Sequence, residues 1–109
     1  MSQPSTPKYG ATLTEIIATL EAAGFTGQMA ARADGAIQCL TCRQESPANE
    51  FQLGAMRRTE GASDPADMLA VVGLTCPSCS TQGTAVLGYG PEAGPDDAEV
   101  LVRLGVLGR

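Results

Sequence analysis

Residues 38–44 read QCLTCRQ and residues 74–81 read LTCPSCST, so all four cysteines of the 109-residue chain fall into two C-x-x-C pairs, Cys39 with Cys42 and Cys76 with Cys79. Two thiolates separated by two residues on a tight turn can bind the same tetrahedral ion, at about 2.3 Å per zinc–sulfur bond. Two such turns close a four-sulfur site. The spacing therefore predicts Cys39, Cys42, Cys76 and Cys79 as the ligands of one structural metal ion, zinc by preference, with iron in a rubredoxin-like site as the alternative. The 33 residues between Cys42 and Cys76 exceed the about 15 to 20 of the commonest double pattern. A strand and the start of another must fold back between the pairs.

Composition explains why such a chain needs a staple. Leu, Ile, Val and Phe number 21 of 109 residues, close to the range in which chains fail to fold unaided, while a net charge of −5 is too modest for full disorder. A core this thin calls for disulfides or a metal. The chain has no apolar run of the about 18 residues that span a bilayer. Its first ten residues, MSQPSTPKYG, lack the basic and apolar regions of a secretory signal. The expectation is a cytoplasmic protein with reduced thiols, and that compartment favours the metal. Residues 1–10 read as a disordered leader and 11–109 as one domain.

The stretch ATLTEIIATLEAAGF predicts a helix over 13–23. Thr12 and Glu15 form a capping box, Leu13, Ile16, Ile17 and Leu20 make one apolar stripe, and Gly24 stops the helix with Phe25 closing back on Leu20. The period then changes to two. FTGQMAARADGAIQC reads as a hairpin turning at Asp34-Gly35 and ending in Cys39. FQLGAMRRTE alternates, with Phe51, Leu53 and Ala55 on one side and Gln52, Met56 and Arg58 on the other. MLAVVGLTC is apolar on both faces, as a central strand is, and delivers Cys76. GTAVLGYG returns as the next strand, with Ala85, Leu87 and Tyr89 on one face. Asp64 before Pro65 can cap a single helical turn in GASDPADM. In the tail, Asp96 and Glu99 read as a cap pair before Val100, Leu101 and Leu104, with Gly105 as the stop. The fold class expected is α+β: a small zinc-ribbon-like antiparallel sheet with an N-terminal helix and a short C-terminal one.

A redox role for CPSC needs a helix after the motif to stabilise a thiolate, and the glycines and strand formers of STQGTAVLGYG predict none. Zinc-ribbon and rubredoxin knuckles often carry glycine after the second cysteine, where a positive φ aims an amide at sulfur. Here those positions are Arg43 and Ser80. Arg43 either offsets the negative charge of a four-thiolate centre or simply faces solvent.

With these motifs the chain resembles a group of short actinobacterial zinc-ribbon proteins that carry no assigned function. The likeness lies in the helix TLTEIIATLEAAGF, both C-x-x-C pairs, RRTEGASDPADM and YGPEAGPDDAEVL. It implies a four-cysteine metal site at Cys39, Cys42, Cys76 and Cys79 in a free-standing small cytosolic protein. It implies no activity, substrate or partner.

Enzyme chemistry finds little support, because the chain has no histidine and a metal closed by four sulfurs leaves no position for substrate. Glu60, Asp64 and Asp67 read as solvated loop acids rather than an acid–base pair. Nucleic acid ranks second: from 25 to 90, Arg32, Arg43, Arg57 and Arg58 face six acids. Arg57 and Arg58 point to opposite faces of a strand, one exposed and one set to pair with an acid. The few aromatics, Tyr9, Tyr89, Phe25 and Phe51, make no stacking platform. A protein-interaction or regulatory module leads, with a basic protein as the partner and RRTEGASDPADM as the loop to inspect.

Overall fold

The computed structural model describes residues 12–59, 68–89 and 94–105. The leader and the loop acids Glu60, Asp64 and Asp67 lie outside these residues. Helix α1 (Leu13–Ala22) begins at the predicted capping box, where the Thr12 hydroxyl accepts from the Glu15 amide at 3.2 Å and the Glu15 carboxylate from the Thr12 amide at 3.1 Å. It ends one residue before the expected limit. Gly24 turns at φ 111°, its N–H donates to the Glu21 carbonyl and that of Phe25 to the Leu20 carbonyl, so Phe25 folds back beside Ile16, Leu20 and Val71.

Six strands follow: β1 (Gly27–Arg32), β2 (Ala36–Cys39), β3 (Glu45–Pro47), β4 (Gln52–Arg58), β5 (Leu69–Thr75) and β6 (Gln82–Gly88). They form one sheet in the order β3-β2-β1-β6-β5-β4. The expected antiparallel sheet needs one amendment, because β1 and β6 run parallel while the other neighbours are antiparallel. The convergence of the cysteines dictates that joint. β6 leaves the second C-x-x-C turn, and β1 runs opposite to β2, which enters the first. If both turns sit at one end of the sheet, β1 and β6 both run away from it. The three-residue strand β3, which pairs Gln38 with Glu45 and Ala36 with Pro47, has too short a pattern to predict.

The β1–β2 turn is a three-residue bend over Ala33–Gly35, with Asp34 at φ 64° and Gly35 at φ 76°. Asp34 and Gly35 are the residue types that tolerate this left-handed region. A Cβ on Gly35 would fall on the Arg103 side chain, so the turn also seats the last helix.

β5 is buried on both faces, as predicted. Ala70, Val72 and Leu74 join Ala85 and Leu87 of β6 in the larger core, and Val71 faces α1 on the other side. The larger core is covered by α2 (Pro95–Leu104) through Val100 and Leu101. The two helices thus flank the sheet.

Two readings change in detail. Phe51, Leu53 and Ala55 do not share a face: a bulge between Leu53 and Ala55 adds a residue against β5, so Phe51 and Met56 pack into the larger core while Ala55 packs with α1. The bulge places Gly54 and Gly73 under the Phe25 ring, where a Cβ would approach it at 2.9 and 3.0 Å. The Asp96–Glu99 cap pair does not form. Gly94 is the N-cap and Pro95 opens α2 with its φ already helical. Asp97 instead accepts from the Gly88 N–H at 2.9 Å, and Glu99 pairs with Arg103 at 3.0 Å. Gly105 ends the helix as predicted, at φ 80°.

Candidate metal centre

Each C-x-x-C turn is the tip of a hairpin, the first joining β2 to β3 and the second β5 to β6. The two tips repeat one hydrogen-bond scheme. The Cys39 amide donates to the Gln44 carbonyl at 3.0 Å and the Arg43 amide to the Cys39 carbonyl at 2.7 Å. In the second tip the Cys76 amide donates to the Thr81 carbonyl at 2.9 Å and the Ser80 amide to the Cys76 carbonyl at 3.0 Å. Arg43 and Ser80 stand at φ 67° and 65°, the positive values that the knuckle demands and that glycine supplies without strain. The sequence departs from glycine, yet the geometry does not.

A left-handed backbone costs a residue with a Cβ about 1 to 2 kcal/mol, partly offset by the roughly 0.5 to 1 kcal/mol of extra chain entropy glycine loses on folding. Ser80→Gly is therefore expected to raise stability by about 0.5 to 1 kcal/mol, read as an upward shift of the thermal midpoint of the metal-loaded protein. A lowered midpoint would mean that the Ser80 side chain contributes more than its backbone strain costs.

The four sulfurs lie within 4.8 Å of one another. Cys39 Sγ is 3.8 Å from Cys79 Sγ, and Cys42 Sγ is 3.8 Å from Cys76 Sγ. A tetrahedron with zinc–sulfur arms of about 2.3 Å has edges of about 3.8 Å, so two edges already match such a site and the others, none beyond 4.8 Å, need only a small contraction. Each close contact crosses from one hairpin to the other. Cys39 and Cys76 are buried, Cys42 is half-buried and Cys79 is exposed, which puts the centre at the rim with its inner half in the core.

Neighbouring donors prepare the sulfurs for charge. The Ser78 amide donates to Cys76 Sγ at 3.3 Å. The Thr81 hydroxyl, 3.1 Å from Cys79 Sγ, and the Thr81 amide hold the Cys79 thiol down to about 6, so it is largely thiolate at neutral pH. At Cys42 the Gln44 amide also favours the thiolate, but burial and the three other sulfurs outweigh it and push the thiol up to about 11. A divalent cation removes the conflict at Cys42, because its sulfur ligands bind deprotonated.

The joint beneath the knuckles is built of two glycines that sequence reading passed over. Gly27 pairs with Gly83, and a Cβ on Gly83 would lie 2.6 Å from the Gly27 carbonyl carbon. Bare backbones let β1 and β6 approach, and that approach carries the tips together. The signal was a glycine within the first two residues of each strand, ambiguous until the partner was known.

Other candidate residues lie elsewhere. CPSC leads into β6, so no helix N-terminus backs Cys79 as a redox thiolate would require. Arg57 and Arg58 do point to opposite faces, since they pair with Val71 and Ala70. Of the two, Arg58 stacks on an aromatic ring: its guanidinium sits 5.5 Å from the Tyr89 ring centre. Arg32 is held by Gln38, and Arg43 is exposed. No described helix is long and apolar enough to cross a membrane. Comparison of the chain with protein-family models, with curated proteins and with solved structures finds no match.

Proposed function

We propose that Cys39, Cys42, Cys76 and Cys79 hold one zinc ion and that the zinc-stapled chain is a protein-interaction or regulatory module, kin to the short zinc-ribbon proteins it resembles. The observation that carries the metal is the set of 3.8 Å sulfur edges joining two hairpins of the same geometry. Zinc bound here supplies a redox-inert cross-link with no free coordination position, so the role is structural and not catalytic. The residues present fit it: four sulfurs, with the Ser78 amide donating to Cys76 and the Thr81 hydroxyl 3.1 Å from Cys79.

The interaction reading rests on surface chemistry. The net charge of −5 repels phosphate backbones and attracts a basic partner. Leu40, 39 % exposed, stands at the tip of the first knuckle, and the exposed Pro77 and Ser78 stand at the tip of the second. A tip that presents exposed apolar atoms on a chain of net negative charge is a suitable protein contact.

Elemental analysis of the purified chain is expected to return about one zinc per polypeptide, and iron in its place would move the site to the rubredoxin class. An affinity pull-down from the native cell, repeated with Leu40→Asp, reads the partner. A basic protein retained by the parent chain and lost by the variant, with zinc content unchanged, is the expected result. Nucleic acid retained in a strongly salt-dependent manner would replace this reading by the second one.

A further inference from the structure

The parallel joint is short. β1 and β6 share the register pairs Gly27–Gly83 and Gln28–Thr84 and then part. Farther along, the Gly88 N–H bonds to Asp97 Oδ2 rather than to β1. The parting leaves a cavity of about 340 Å³, lined by Ile17 and Glu21 of α1, Ala30 of β1, Thr84 and Val86 of β6, and Asp97 of α2, among others. Its size is that of a small-ligand pocket. α1 and α2 pack on opposite faces of the sheet, and each contributes one carboxylate to the lining, Glu21 and Asp97.

The lining has acceptors and no cation. Thr84 is 8 % exposed, and its hydroxyl has no hydrogen-bond partner among the described residues. No buried side-chain oxygen among those residues is sealed without a partner, so that hydroxyl opens onto the cavity. An accessible hydroxyl on the cavity wall can accept from a donor that enters it. Between the carboxylates the walls are apolar, with Ile17, Ala30 and a 40 % exposed Val86. Asp97 keeps one carboxylate oxygen beyond the one that holds Gly88.

We propose that this cleft binds a linear aliphatic polyamine, with one ammonium at Glu21, another at Asp97 and a methylene run along Ile17 and Val86. Thr84 accepts from the amine between them. The pairing follows from charge: one carboxylate from each helix matches a cation at each end of the ligand, and the apolar walls match the chain that joins them. The inference rests on the β1–β6 cleft and is independent of the metal proposal.

Spermidine is the probe, titrated into the full, zinc-loaded chain at about 0.15 M salt, where loose surface attraction is screened within about 8 Å. Amide chemical shifts in nitrogen–proton NMR spectra are expected to move most at Ala30, Ala31, Thr84 and Val86. Glu21→Gln and Thr84→Val are expected to weaken binding about fivefold each, and Glu50→Gln, an exposed acid outside the cavity, by less than about twofold. Shifts scattered over the acidic surface, or equal losses for Glu21→Gln and Glu50→Gln, would overturn the site. Butylamine or an N-acetyl-lysine amide binding as tightly as spermidine would overturn the two-ended ligand.

Discussion

Cys76→Ser is expected to unfold the chain rather than merely weaken its site. Cys76 is 2 % exposed, directly follows strand β5 and belongs to the larger core, so the hydroxyl that replaces it is a poorer metal ligand in a place where nothing else can take over. The scale decides the outcome. Structural zinc contributes about 10 to 16 kcal/mol in small zinc-folded peptides, whereas whole domains are stable by about 5 to 15 kcal/mol. A chain with only 21 Leu, Ile, Val and Phe residues holds little in reserve. The check is metal content together with NMR dispersion: the variant is expected to hold no zinc and to lose its dispersed amide spectrum, and a strong chelator is expected to do the same to the parent. Cys79→Ser, at the exposed rim, is expected to weaken metal binding while leaving a folded, metal-saturable chain. A folded, cooperatively melting Cys76→Ser protein would show that the hydrophobic core suffices alone.

Gly83→Ala is expected to be nearly as damaging although it touches no cysteine. The added Cβ would meet Gly27 carbon at 2.6 Å, Gly27 oxygen at 2.7 Å and Gln28 nitrogen at 2.9 Å, all of them backbone. Backbone cannot rotate away, so the strands must separate, and with them the hairpins that carry the sulfurs. Overpacking of a rigid site costs typically about 1 to 3 kcal/mol, and here loosened metal binding adds to it. Gly27→Ala is a graded comparison, because its shortest contact is a side chain, the Thr81 methyl at 2.7 Å, and its nearest backbone atom is the Gln82 carbonyl oxygen at 3.2 Å. Thermal melts and competitive zinc titration are expected to rank parent, Gly27→Ala and Gly83→Ala in falling order. A Gly83→Ala protein equal to the parent in both would mean that the joint is free to widen.

The parts of this molecule legible in sequence are those written locally. Thr12, Glu15 and Gly24 bracket α1 within a dozen residues, and the period of two marks the longer strands. The C-x-x-C spacing encodes knuckle geometry closely enough that Arg43 and Ser80 adopt it without glycine. The illegible parts depend on distant partners. Nothing near Gly27 announces that its neighbour is Gly83, and the bulge at Leu53/Ala55 exists to fit β5 and the Phe25 ring. Asp96 and Glu99 looked like a cap because the pattern fitted, but Pro95 after Gly94 starts the helix earlier and leaves Asp97 free to reach β6.

The single parallel joint also sets an order of events during synthesis. β1 leaves the ribosome soon after α1, yet the strand that covers its second edge is β6, more than fifty residues later along the chain. Until then the β1–β2–β3 ribbon is a nascent piece with a bare flank and half a set of thiolates, the kind of intermediate that pairs with the wrong neighbour or is clasped by a chaperone. Production of this protein in a foreign host is therefore governed by how promptly its second half arrives, and slowing translation between Cys42 and Cys76 should lower the soluble yield more than slowing it anywhere upstream.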